Sequence, residues 1–385
     1  SEEIDLSRPS KGRSVLSERQ YVSSLTQILP STAADWVSFL SNNANKYRLV
    51  NLITEYILSD EFIAAVPIFV TQDDKCIRKD IDGSLTEVTQ LTCTHMEADP
   101  RLALHAVFAS QQQTNEAVAV VSDDTDVFII LLSIVSKMHG DLFFRQGKST
   151  IGKGIEYHNV SSLASYLGED CCRILPGFHA LTGSDFTYPF FRRSKYNSFS
   201  LMMNMKKTRS RVTSYHLLNT LGTNEVNCED IIEFILRTIY NRPKKETTLE
   251  ESRRSMMKVG EGKKRKYRST KLVIPDRSSL LMKIKRSNLV AYPWKNCLST
   301  TLVPLMPKHN GWIEVNGELV TNWFEGDPLP TDEVYDEHID DLKHAAVEEI
   351  EDERLKESDS DVDEVSDAEY ALSDEYATDE DDDSG

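Results

Sequence analysis

The stretch from Ala117 to Val135, AVAVVSDDTDVFIILLSIV, decides the fold. Its first five residues are apolar and rich in valine, as expected of a strand buried on both faces. Val127 to Val135 is a second apolar run, read as a helix or turn. Between the two stand Asp123, Asp124 and Asp126. A buried strand, an acidic turn and an apolar helix, in that order, predict one strand–helix step of an α/β sheet.

The same alternation extends in both directions. Upstream, a helix is expected from about Glu97 to Gln111, with Leu102, His105, Ala106 and Ala109 on one face. Ala64 to Val70 (AAVPIFV) is β-like, and Asp82–Gly83 is a hairpin signal. Helical spacing recurs in Tyr21, Leu25 and Leu29, in Trp36, Phe39 and Leu40, and in Leu49, Leu52, Ile53 and Ile57. Asn42, Asn43 and Asn45 break the second run from the third. Downstream come a strand near Leu142–Phe144 and two short helices over 160–181, ending at Gly183. The expected fold is α/β, with a mostly parallel sheet flanked by helices over 19–240, after a polar, disordered leader at 1–18.

Charge divides the rest of the chain. The whole carries 62 acidic and 44 basic side chains, net −18. From Thr331 to Gly385 there are 25 acids and three bases, a local net of −22, which leaves +4 for residues 1–330. The 331–385 tail has many like charges and few apolar residues, so it is expected to be disordered. Ser358 and Ser360, each followed by acids, are candidate sites for an acidophilic kinase. Residues 241–286 hold 16 bases and five acids. Over 241–279 this reads as a basic linker or insertion. Lys263, Lys264, Arg265, Lys266 and Arg268 are candidates for nuclear import or for holding a phosphate backbone. A solvated charged loop is the plainer reading. Residues 280–330 regain aromatic content, with Tyr292, Trp294, Trp312 and Trp323, and should pack back on the body.

Several classes are set aside. The run Val127–Val135 is about half the ~20 residues needed to cross a bilayer. Nothing near Ser1 has the layout of a signal peptide. Six scattered cysteines without a C-x-x-C pair do not make a disulfide scaffold or a zinc site. Together with the basic segment, these point to a nuclear setting, with the cytoplasm as the alternative. Partners are expected to be nucleic acid, with proteins through the acidic tail, and no membrane.

Three acidic segments stand beside expected strand ends or helix starts: Glu97 and Asp99, then Asp123, Asp124 and Asp126, then Asp185 in PGFHALTGSD. Taken alone, each is an ordinary helix cap or loop. In an α/β sheet, however, ligands sit beyond the carboxyl ends of strands, where acids from separate segments converge. Crowded carboxylates stay ionised only beside cations, and hard oxygen donors favour Mg²⁺ or Mn²⁺. Two such ions support phosphodiester hydrolysis. Asp124 and Asp126 are the candidate catalytic pair. His105 and His179, in apolar stretches, read as core or boundary histidines. His95 lies near the acids. Lys46 and Arg48 read as a solvated helix face, and the tryptophans at 294, 312 and 323 as packing residues.

The order E-x-D, strand-S-D-D-T-D-V and L-T-G-S-D resembles the PIN-like nuclease core of the flap endonuclease and XPG group. The resemblance implies a metal-dependent nuclease, or a degenerate form of one, with Glu97, Asp99, Asp124, Asp126 and Asp185 as ligands of two Mg²⁺ or Mn²⁺ ions. It also implies an upstream strand and Asp with no counterpart between Ser1 and Phe62, so the first strand of the domain is expected to be missing. Over residues 20–330 the segments HMEADPRLALHA, SDDTDV, LPGFHALTGSDFT, KHNGW and NWFEGDPLP resemble an uncharacterised animal protein family linked to mobile elements. The alternative reading is a non-catalytic nuclear protein that keeps the PIN-like fold and binds nucleic acid or protein.

Overall fold

A computed structural model describes residues 33–112, 116–146, 156–204, 215–242, 248–257 and 272–326. The chain divides into two units, 1–326 and 327–385, and every described residue belongs to the first. The leader, the basic run Lys263–Arg268, the tail and both candidate serines, Ser358 and Ser360, lie outside the described residues.

Helices α1 (Ala33–Leu40) and α2 (Asn43–Leu58) meet where Asn42 caps α2 by accepting from the Ala44 amide. The asparagine cluster that interrupts the apolar spacing is thus a helix start. Strands β1 (Ile68–Gln72), β2 (Lys75–Lys79) and β3 (Leu85–Glu87) form an antiparallel sheet. The expected Asp82–Gly83 turn joins β2 to β3, with Gly83 at positive φ. Lys79, 2% exposed, donates to the carbonyls of Ile57 at 3.1 Å and Ser59 at 2.5 Å. It places a cation on carbonyls at the end of α2, where the helix dipole favours one.

The central unit runs α3 (Ala98–Ser110), β4 (Ala117–Val121), α4 (Thr125–Ile134), β5 (Asp141–Gln146) and β6 (Glu156–Asn159). β4 and β5 are parallel, joined through α4, while β6 returns antiparallel to β5. The fold is α/β with mixed sheets, and the expectation of a mostly parallel sheet is corrected. The reason lies in β4 itself. Among the described residues it pairs with β5 alone, and of its side chains only Val120 is buried, while Val121 is 59% exposed. Low polarity marked AVAVV as strand, but composition does not report how many neighbours a strand has.

Helices α5 (Val160–Leu167) and α6 (Glu169–Thr182) follow, the two short helices that the sequence predicts, separated by Gly168. α6 is the axis of the core. From Ile174 to Thr182 every side chain is buried, despite Pro176 and Gly177 within the helix. α6 packs against α4 and against α10 (Arg277–Lys295). Between them in sequence lie α7 (Lys195–Asn204), α8 (Cys228–Phe234), continued by a π turn over Ile235–Ile239, and α9 (Leu249–Met257). Leu249, Ser252 and Met256 of α9 are buried, as are Leu280, Ile284, Ala291 and Trp294 of α10. Each such large apolar side chain contributes about 1.5–3 kcal/mol by burial.

β7 (Trp312–Val315) and β8 (Glu318–Thr321) form a hairpin turned at Asn316–Gly317, both at positive φ. The buried Arg286 clamps its base, donating to the carbonyls of Gly311 at 3.1 Å and Asn322. Trp294 is 2% exposed, whereas Trp323 is 53% exposed, with its ring beside Arg286 and Tyr188. None of the six cysteines forms a disulfide. No helix among the described residues is long and apolar enough to cross a membrane.

Candidate metal centre

Glu97 and Asp99 enter at the start of α3. Glu97 occupies the capping position, yet its side chain makes no capping hydrogen bond. Pro100 is buried in the first turn, where a missing amide costs no helical hydrogen bond. Asp124 and Asp126 come from the turn after β4. Asp124 does cap α4, its Oδ1 accepting from the Asp126 amide at 2.8 Å.

Asp185 sits at the tip of a tight turn after α6. Gly183 takes a φ of +127°, a region L side chains rarely adopt. Ser184 and Thr187 then bridge through both their amides and carbonyls, and their hydroxyls lie 2.9 Å apart. Thr187 also donates to the Ala180 carbonyl at 2.5 Å. The L-T-G-S-D segment is therefore a device for turning the chain and fixing one exposed carboxylate.

These three segments share one electrostatic neighbourhood. Burial, then the charges of Asp99, Asp126 and Asp124, pushes the Glu97 carboxyl up to about 7. Burial, then Asp124, Asp126 and Asp185, raises Asp99 to about 6. All five predicted ligands thus take part in one mutually repelling group. Like charges push side chains apart, and among the described residues no three His, Cys, Asp or Glu side chains stand as a formed ligand set. The donor set nevertheless suits a hard divalent cation: five carboxylates from two helix starts and a turn, without thiolate.

Two further residues join the acids. His179, buried in α6, holds Asp126 Oδ1 at 2.8 Å through Nε2. Lys195, at the start of α7, lies 2.9 Å from His179 Nδ1 and donates to the Gly183 carbonyl at 2.6 Å. Lys195 also lies 3.3 Å from His179 Nε2, so its ammonium sits against the ring edge that faces Asp126. Burial lowers Lys195 to about 8, against the pull of Asp126. His179 is therefore a satisfied core histidine, as its apolar surroundings suggest, and its partner belongs to the acidic group. Its one sequence signal is a polar ring inside an otherwise apolar helix, six residues before Asp185. Nothing distinguishes Lys195 within RRSK.

Other candidates fall elsewhere. His105 holds Thr71 Oγ1 at 3.0 Å, between α3 and β1. Lys46 and Arg48 are exposed on α2, which packs chiefly against α1 and β1. Beside Ser184, an open groove of about 660 Å³ is lined by Arg192, Arg193 and Lys195.

Comparison with known proteins gives no match to a protein-family model, to a curated protein or to a solved structure.

Proposed function

We propose that this chain belongs to the PIN-like class and carries out divalent-metal-dependent hydrolysis of phosphodiesters in nucleic acid. One observation carries the reading: acids from three distant segments share one electrostatic neighbourhood, in which burial and the charges of Asp124, Asp126 and Asp185 raise Glu97 and Asp99. Glu97, Asp99, Asp124, Asp126 and Asp185 would hold Mg²⁺ or Mn²⁺, which when bound supplies an activated water and neutralises charge on the phosphate. His179 orients Asp126, and Lys195 braces the His179 ring. Arg192, Arg193 and Lys195 offer the adjoining groove to phosphate oxygens of the strand. The basic residues Lys263 to Arg268 add a second phosphate-binding segment and a nuclear import signal in the same reading.

A non-catalytic nuclear protein that keeps these acids and binds nucleic acid or protein is the second reading. It draws on the absence of a formed ligand set among the described residues. Cleavage of single-stranded, duplex and flap substrates in Mn²⁺, by wild type and by Asp124→Asn plus Asp126→Asn, separates the two. The nuclease reading expects cleavage by wild type and loss of at least 100-fold, roughly 2.7 kcal/mol of barrier, in the double variant. Equal cleavage by both proteins, or none by either, overturns it.

A further inference from the structure

Behind the acids lies a second, chemically different cavity. It holds about 150 Å³ and is walled mainly by apolar and aromatic side chains, including Phe186, Tyr292, Trp294 and Trp312. Its position is tied to the carboxylates on two sides. Glu97 is part of its lining, and Phe186 directly follows Asp185. The Trp294 ring also lies 5.9 Å from the His179 ring, which holds Asp126. Cavity and acidic group therefore share a wall.

One polar residue breaks the apolar lining. His95 is 2% exposed, and neither of its ring nitrogens has a hydrogen-bond partner. Backbone groups of Ser299 and Cys297 lie beside the ring but short of hydrogen-bond geometry. Buried polar groups are nearly always paired, so an unpaired imidazole in a cavity wall marks a place for a ligand's polar edge. The volume is below the ~300–1,000 Å³ of pockets for drug-sized ligands. It suits one flat ring system rather than a whole nucleotide.

We propose that this pocket receives the base of the nucleotide adjoining the phosphodiester held at the acids. The inference rests on the nuclease reading and names the part of the substrate that the acids do not touch. Stacking on Trp294, Trp312 or Tyr292 supplies affinity with little sequence preference, because every base has a π face. His95 then offers a donor or acceptor to the base edge. Recognition of this kind needs an unstacked base, which favours single-stranded or frayed substrates over intact duplex.

The test uses the full chain with Ca²⁺ in place of Mn²⁺. The probes are a short single strand carrying 2-aminopurine, the same strand with an abasic site at that position, and free 2-aminopurine riboside. The expected result is quenched 2-aminopurine emission and about tenfold weaker binding of the abasic strand, the scale of one base–aromatic stack. Leu305→Trp, which fills the pocket, should erase that difference while leaving affinity for the abasic strand unchanged. Equal binding of both strands, in a protein that still cleaves with Mn²⁺, overturns the pocket and spares the nuclease reading. Quenching of the riboside without binding of either strand does the reverse: the nuclease reading fails, and a heterocycle site remains. No quenching of any probe overturns the pocket outright.

Discussion

Replacing Asp124 with Asn should stabilise the folded protein above neutral pH when no divalent cation is present. The cap on α4 survives, because Asn and Asp cap helices about equally well. What disappears is one negative charge among five. Glu97 moves from 4.5 to about 7, a rise that corresponds to roughly 3 kcal/mol of penalty on its charged form. Burial is the largest cause and Asp124 the last of three repelling neighbours, so Asp124 accounts for about 0.5 kcal/mol there. Asp124 is the largest repulsive influence on Asp99, but that carboxyl is more open to water, so a further ~0.5 kcal/mol is appropriate after screening. The expected gain at pH 8 is about 1 kcal/mol, a rise in Tm of roughly 1–3 °C.

The pH dependence has a definite sign. Both carboxyls keep protons in the folded protein over a range where the unfolded chain has lost them. Wild-type stability therefore falls as pH rises from about 4 through 7. At pH 5 Glu97 and Asp99 are largely neutral, so the advantage of Asp124→Asn should shrink toward zero. Mn²⁺ should reverse the order at pH 8. A cation at 100 times its Kd stabilises wild type by about 2.7 kcal/mol, and the variant, short of one ligand, should gain less. Thermal unfolding at pH 5 and 8, with EDTA and with Mn²⁺, reads all four conditions. A variant less stable than wild type at pH 8 in EDTA, with no response of wild type to Mn²⁺, would refute the reasoning.

Three other perturbations address separate features. His179→Ala removes the partner of Asp126 and should lower Mn²⁺-dependent cleavage by about 10–100-fold; His179→Gln, which can still donate to Asp126, should recover part of it. Lys79→Met should cost about 2–4 kcal/mol in urea unfolding and speed amide exchange at the end of α2, because two carbonyls lose a charged donor. Gly311→Ala should cost more than about 1 kcal/mol, measured as a lower unfolding midpoint, because φ is +80° and a Cβ would stand 2.6 Å from the Met282 carbonyl.

Much of the fold is written in local pattern. Helices α3, α5 and α6 fall where apolar spacing and Gly183 put them, and the Asp82–Gly83 turn joins two strands. Sheet order is not local. AVAVV gives the strand but not its neighbours, and among the described residues the parallel sheet expected from it is one parallel pair. Asn316–Gly317 carries a strong hairpin signal that an aromatic reading of 280–330 passes over. Glu97, Asp99, Asp124 and Asp126 stand out in the sequence because each lies at a helix start, whereas Asp185 lies in a turn after a helix end. His179 and Lys195 do not stand out, since a buried polar side chain is explained only by its partner. For His179 that partner lies 53 residues away.

Helix α6 is covered on one side by a helix made long after it. Some 95 residues separate its last residue, Thr182, from the first residue of α10, Arg277. At roughly 5–20 residues per second, the ribosome takes about 5–20 s to deliver that cover. Through this interval the nascent chain already holds every acid of the site, while the apolar flank of α6 still faces solvent or a chaperone. A chain released before residue 277 would carry the complete acidic group on a core that has not closed.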